Sequence, residues 1–222
     1  MNGEQKVDTI IFDAGGVLFY INEYRNTVMT RILKSLGYEE KLIQEALETG
    51  KAFDAHYYRI YGDIVTWQDE KKWLKLRSDV IANAVDVNNE DLADRLSVLA
   101  FDTFQYQLFE ETEKVLERLQ QDYKLCVLSN ATASLDWAFD YLDIRKYFDE
   151  VIISAYEQCA KPDQKLYHIA LDRLGKSSHQ CLFIDDKLEN VEAARDLGMR
   201  SFHLIRQEGE TLEDFVSFIE MA

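Results

Sequence analysis

Thr9-Ile10-Ile11-Phe12-Asp13-Ala14-Gly15-Gly16-Val17-Leu18 reads as an apolar strand that ends in a carboxylate and turns on two glycines. A strand tip whose backbone is freed by glycine is a good place to present a nucleophile to a phosphate. Such segments often carry a second aspartate two residues after the first, to move protons. Here that position is Gly15. The stretch therefore points to phosphoryl transfer and lacks one of its usual parts.

Working outward, four more apolar runs have strand character: Lys124–Leu128, Val151–Ser154, Cys181–Ile184 and Ser201–Leu204. They are short, rich in Val, Ile, Leu and Phe, and do not alternate, as expected of strands buried on both faces of a parallel sheet. Helical patterns separate them. Glu110–Gln120, Ser134–Tyr141, Lys165–Leu174 (stopped by Gly175) and Asn190–Leu197 (stopped by Gly198) are amphipathic. A terminal helix is expected over Leu212–Met221. This alternation predicts right-handed βαβ units in an α/β, Rossmann-like parallel sheet.

Residues 19–100 break the alternation. Helical periodicity runs over Glu23–Leu36 up to Gly37, then over Tyr38–Leu47, ending near Gly50. Thr66-Trp67-Gln68-Asp69 resembles a capping box, with Asp for the usual Glu, before a helix at Glu70–Ser78. Glu90–Leu99 makes another. The expected organisation is a Rossmann-like catalytic core over 1–18 and 101–222, with an all-helical cap inserted at 19–100.

In an open parallel sheet, ligands bind outside the carboxyl ends of the strands. Asp13 and its glycines follow the first strand, Ser129 and Asn130 the second. Lys161-Pro162 comes a few residues after the third, and Asp185-Asp186, with Glu189 and Asn190, after the fourth. Each has an ordinary explanation as a turn former, a helix cap or a solvated loop. The order Asp, Ser, Lys, Asp-Asp, each after its own strand, argues for a converging site.

At this point the chain resembles the haloacid dehalogenase superfamily, mostly Mg-dependent phosphatases acting through an aspartyl-phosphate. The resemblance covers nearly the whole chain, and the helical insert matches the position of the family's type-1 caps. The glycine-containing first motif and the Asp-Asp-x-x-x-Asn fourth motif look most like the sugar-phosphatase (glucose-1-phosphatase) and epoxide-hydrolase N-domain branch. The resemblance implies that Asp13 attacks phosphorus. It implies Mg²⁺ held by Asp13, the Gly15 carbonyl and Asp186, with Asp185 a direct or water-mediated ligand. It further implies that the Ser129 hydroxyl and Asn130 backbone N–H hold phosphate oxygens, and that Lys161 bridges Asp13 and the phosphate. Asn190 either orients the acidic loop or is an ordinary first-turn residue.

Gly15 leaves three chemistries open. One is a phosphatase for a leaving group that departs easily, such as an anomeric sugar phosphate or an acyl phosphate. Another is a phosphatase whose acid comes from the cap (His56, Glu23 and Tyr57 are candidates) or from water. The last is halide displacement from a 2-haloacid, which needs no leaving-group proton. A phosphate-binding or regulatory protein without turnover is the reading from a different class.

Bulk properties narrow the partners. Net charge is −16, with no Lys/Arg stripe, which argues against nucleic acid; the expected partner, a small phosphorylated metabolite, would need a local positive pocket from a metal ion, a Lys or helix N-termini. No run reaches the roughly 18 apolar residues of a bilayer span, and the polar start, Met1–Asp8, has no signal-peptide core. Cys126, Cys159 and Cys181 form no disulfide or zinc spacing, and Cys126 and Cys181 read as buried thiols. A cytoplasmic protein, monomer or homodimer and away from membranes, is expected. The cap is expected to close over the site and set specificity, through aromatics drawn from Phe53, Tyr57, Tyr58, Tyr61, Trp67 and Trp73.

Overall fold

The computed structural model describes residues 6–61, 63–102 and 106–221, without the side chains of Tyr58, Tyr61 and 99–102. In chain order the elements begin with β1 (Thr9–Phe12) and β2 (Phe19–Ile21). Helices α1 (Arg25–Ser35), α2 (Glu40–Tyr61), α3 (Trp67–Val85) and α4 (Leu92–Asp102) follow. Next come β3 (Tyr106–Leu108), α5 (Thr112–Leu119), β4 (Lys124–Ser129), α6 (Leu135–Tyr141), β5 (Glu150–Ile153), α7 (Ser154–Glu157) and α8 (Gln164–Leu174). The chain ends with β6 (Cys181–Asp185), α9 (Leu188–Asp196), β7 (Arg200–His203) and α10 (Leu212–Glu220).

The chain divides into two compact units, one of residues 1–20 with 106–222 and one of residues 21–105. The first holds a five-stranded sheet in the order β5-β4-β1-β6-β7. All neighbours are parallel, giving the α/β Rossmann-like fold expected from the sequence. Thr9 to Phe12 stand opposite Lys124 to Val127 on one side and Cys181 to Ile184 on the other. Strand order reverses about β1, so the residues that follow β1, β4 and β6 leave the sheet at one edge, beside the switch point where ligands bind in such folds.

Burial explains the unbroken apolar runs. Every residue of β1 is buried, as are Cys126 and Cys181. One face packs Ile11, Leu128 and Phe183 on Leu166, Tyr167 and Ala170 of α8. Around Phe12 are the rings of Phe148 and Phe215, both edge-on. Gly175 stops α8 in the left-handed conformation, where its missing Cβ removes the steric penalty. Thr211 and Asp214 cap α10 reciprocally.

The second unit is built from α1 to α4 around Met29, Leu33, Ile43, Leu74, Ile81 and Leu96. The Thr66–Asp69 capping box forms as read from the sequence, and α3 runs on to Val85. One expectation fails: α2 does not end near Gly50 but passes through it to Tyr61. A Cβ at Gly50 would sit 2.9 Å from the Ile81 Cδ1 atom, so glycine lets α3 approach. That close packing offsets the roughly 0.5–1 kcal/mol that glycine costs in a helix. A feature the sequence did not announce is the two-stranded pairing of β2 with β3, fastened by the Tyr20 hydroxyl donating to Gln107.

Candidate active site

The turn after β1 is shaped around Asp13. The Asp13 N–H donates to the Ile184 carbonyl at 2.9 Å, which anchors the strand tip to β6. Gly16 follows at φ +83°, and a Cβ there would lie 2.5 Å from Asp186 Oδ2. Only glycine satisfies both the left-handed backbone and the approach of that carboxylate. Gly15 differs: an added Cβ would meet nothing within 4 Å.

Lys161 is the centre of the charge network. Its ammonium donates to Asp13 Oδ1 at 2.7 Å and Asp185 Oδ2 at 2.6 Å, with the lysine side chain fully buried. Burial works to lower the ammonium pKa, but the charges of Asp13 and Asp185 outweigh it and the net shift is upward. Lys161 is therefore a fixed positive charge. Asn130 grips its backbone: the Asn130 side-chain carbonyl accepts from the Lys161 N–H at 2.8 Å, and the Asn130 amide donates to the Lys161 carbonyl at 2.7 Å. Ser129, the last residue of β4, is buried at the same sheet edge.

Asp185 is fully buried and held from three sides. Besides Lys161, the Lys187 N–H donates to it at 2.8 Å, and the Asn190 amide reaches both its oxygens at 3.0 and 3.1 Å. Asn190 is held in turn by the Tyr167 hydroxyl, which donates to its carbonyl at 2.8 Å. Of the two readings of Asn190, orientation of the acidic loop is the one the contacts match.

Carboxylate oxygens of Asp13, Asp185 and Asp186 lie within 4.8 Å of one another. Burial raises the pKa of Asp13, reinforced by the charge of Asp185 and opposed by Lys161. Asp186 is pushed up to about 6, by burial first and then by the charges of Asp13 and Asp185. Asp186 Oδ1 is buried and has no hydrogen-bond partner among the described residues. An orphaned carboxylate oxygen, three crowded acids against one ammonium and an all-oxygen donor set are what a hard divalent cation requires.

The backbone around Gly15 adds to this fit. The Ala14 carbonyl accepts from Leu18 N–H at 2.8 Å, and the Leu18 carbonyl accepts from the buried Thr112 hydroxyl at 2.7 Å. The Gly16 and Val17 carbonyls accept from the Arg206 guanidinium at 3.3 and 2.6 Å. Among the described residues none donates to the Gly15 carbonyl. Arg206 and Glu111 were missed by the sequence reading, because Arg206 is 190 residues from Gly16 along the chain and sits in no motif.

The cap residues weighed as a replacement acid each have local roles. Glu23 takes a two-point ion pair from Arg31, and Tyr57 is buried with its ring on Phe53. His56 is exposed, its Nδ1 3.0 Å from Arg59. No helix among the described residues is long and apolar enough to cross a membrane.

The sequence profile of the haloacid dehalogenase-like hydrolases matches residues 7–198. A glyceraldehyde 3-phosphate phosphatase from Methanothermobacter thermautotrophicus is 22% identical over 219 residues, covering 95% of this chain and 88% of that protein. The chain spans only about a fifth to a third of the length of the curated relatives it matches first. Among solved structures, a HAD family enzyme from Bacteroides thetaiotaomicron, in complex with magnesium and inorganic phosphate, superposes with a TM-score of 0.61 at 19% identity. That match covers 89% of this chain and 94% of that one. A 2-haloacid dehalogenase from Pseudomonas syringae gives 0.65 at 19% identity, covering 90% and 87%. With its sheet, its strand-end acids and the profile match over most of its length, this chain belongs to the haloacid dehalogenase-like hydrolases.

Proposed function

We propose that the chain is a Mg²⁺-dependent phosphatase that hydrolyses a small phosphoester through an aspartyl-phosphate on Asp13. The observation that carries this reading is the Lys161 ammonium bridging Asp13 and Asp185 beside the orphaned oxygen of Asp186. Asp13, the Gly15 carbonyl and Asp186 would hold the cation, with Asp185 in direct or water-mediated contact. When bound, the cation offsets the repulsion between the carboxylates and the phosphate.

This chain's own groups do the rest. An Asp13 carboxylate oxygen forms a bond to phosphorus as the bond to the leaving oxygen breaks. Lys161, kept protonated by its two carboxylates, draws the dianionic phosphate toward Asp13. The Ser129 hydroxyl and the Asn130 backbone N–H hold the phosphate's outer oxygens. Water then attacks phosphorus, freeing Asp13 and inorganic phosphate. The strongly negative chain disfavours nucleic acid as the substrate.

Gly15 limits the first step, since no side chain there can protonate the departing oxygen. Substrates whose leaving group is weakly basic, such as anomeric sugar phosphates and acyl phosphates, suffer least. Halide displacement also needs no proton, but it has no need of a cation either, and the cluster of Asp13, Asp185 and Asp186 suits one. A phosphate-binding protein without turnover is the second reading, motivated by the same glycine.

A panel of phosphoesters assayed with Mg²⁺ and with EDTA tests the proposal. Mg²⁺-dependent phosphate release is expected, fastest on activated esters. Gly15→Asp, which has room for its Cβ, should raise the rate on alkyl phosphates by about 10²-fold and on para-nitrophenyl phosphate little. No release on any ester, alongside tight binding of phosphate analogues, would favour the binding reading. An equal gain on both ester types counts against the missing-acid argument.

A further inference from the structure

We propose that Arg206, seated by Glu111 and Phe109, is a positioning residue that sets the Gly15 carbonyl for the cation. The inference rests on the metal-dependent reading above. Arg206 lies just past β7 and reaches back to the first turn of the chain. Its Nε donates to the Gly16 carbonyl at 3.3 Å and its Nη2 to the Val17 carbonyl at 2.6 Å. Two successive carbonyls held by one rigid fork fix the orientation of the peptides that follow Gly15.

The fork is itself immobilised. Arg206 Nη1 donates to Glu111 Oε1 at 2.6 Å, and the guanidinium stacks 3.6 Å from the centre of the Phe109 ring. The same Glu111 oxygen accepts the Leu212 N–H at 3.1 Å, which ties the assembly to the start of α10. Burial tends to raise the Glu111 pKa, but its hydrogen bonds to Arg206 and the backbone N–H groups prevail and hold it low.

The pattern of satisfied carbonyls gives this arrangement its direction. Those of Ala14, Gly16, Val17 and Leu18 are taken by protein donors, and no described residue donates to that of Gly15. Gly15 and Gly16 have no side chains to pack, and within the turn their shared peptide is held by the Gly16 N–H donating to the Phe19 carbonyl at 2.8 Å. Arg206 adds a second constraint from outside the turn, on the two carbonyls that follow. Groups that orient metal ligands from behind typically matter by 10- to 100-fold in metal affinity.

Mn²⁺ binding followed by electron paramagnetic resonance, with melting temperature in parallel, tests this on the whole chain. Arg206→Ala should weaken Mn²⁺ about 10- to 100-fold. Arg206→Lys should fall between, because one ammonium cannot serve both carbonyls and the ring. Arg200→Ala is the control: Arg200, on neighbouring β7, also binds one carbonyl (Phe218, 2.8 Å) and stacks on one ring (4.1 Å), away from the turn. It should lower the melting temperature and leave Mn²⁺ affinity unchanged. Wild-type affinity in Arg206→Ala, or equal weakening by Arg200→Ala, overturns the proposal. If Arg206→Ala does not fold, an unchanged affinity in Arg206→Lys overturns it. A wild-type chain that binds no Mn²⁺ removes the metal reading and this inference together.

Discussion

The helical unit and the strand-end site both bury cations against carboxylates, and they close their networks differently. In the helical unit, Arg77 donates to both oxygens of Asp54 at 3.0 and 3.1 Å and to Asn26 at 3.0 Å. Nearby, Arg25 pairs with the fully buried Glu70 at 2.5 Å. Trp73 lies within 5.6 and 5.8 Å of the two guanidinium groups and donates its indole N–H to Asp54. Among the described ion pairs two cations meet two carboxylates, and charge balances. At the strand ends, among the described residues, three carboxylates meet one buried lysine and an oxygen of Asp186 has no partner. A balanced network needs nothing more to be stable; an unbalanced one is costly until a cation joins it. The difference separates a network whose charges balance from one that carries excess negative charge at the strand ends.

Three substitutions would break or sharpen this contrast. Asp13→Asn should have the largest effect on activity, cutting turnover by roughly 10³-fold or more, as expected for loss of a nucleophile. It also relieves the charge excess, so its melting temperature should match or exceed the wild type's in EDTA. Retained turnover would sink the nucleophile assignment.

Arg77→Ala should do the reverse. It leaves Asp54 with the Trp73 indole N–H but without its cation, takes the Arg77 donor from the Asn26 side-chain carbonyl, and urea denaturation should report a loss of about 3 kcal/mol. Mn²⁺ affinity should be unchanged. A variant of wild-type stability would mean that the helical network is not a structural one.

Asp186→Asn should have the smallest effect on stability, with a diagnostic pH dependence. The folded-state pKa of Asp186 is raised from 3.8 to about 6, so its charge destabilises the metal-free fold. That penalty is fully present above pH 6 and is lost as pH falls toward 3.8. In EDTA the wild type should therefore lose stability relative to Asp186→Asn as pH rises through this window, by about 1 kcal/mol after discounting for partial exposure. Parallel pH profiles would contradict the account.

What was legible in the sequence follows from how local the signal is. The central strands β1, β4 and β6 were readable from apolar runs because burial on both faces leaves little room for polar side chains, while the edge strand β7, Arg-Ser-Phe-His, is only partly buried. Strand-end acids were readable because parallel strands bring their carboxyl ends to one edge whatever their separation in sequence. Thr66 and Asp69 announced a helix start, since a capping box involves only neighbours. Gly50 misled because glycine as a helix stop and glycine as a close-packing site look identical until the helix that packs there, α3, is placed. Asn130 was expected to work through its backbone, whereas its side chain also holds the Lys161 peptide across 31 residues of chain. Arg206 and Glu111 gave no signal at all, because a long-range bond to backbone carbonyls leaves no pattern in side-chain identity.

The central claim is that Asp13 carries the phosphoryl group. Acid quenching during turnover of an activated phosphoester with Mg²⁺, followed by peptide mass spectrometry, tests it most directly. The account predicts one added phosphoryl group on the peptide containing Asp13, absent with EDTA and absent in Asp13→Asn. Steady phosphate release with that peptide unmodified, or with the group on another residue, would contradict it.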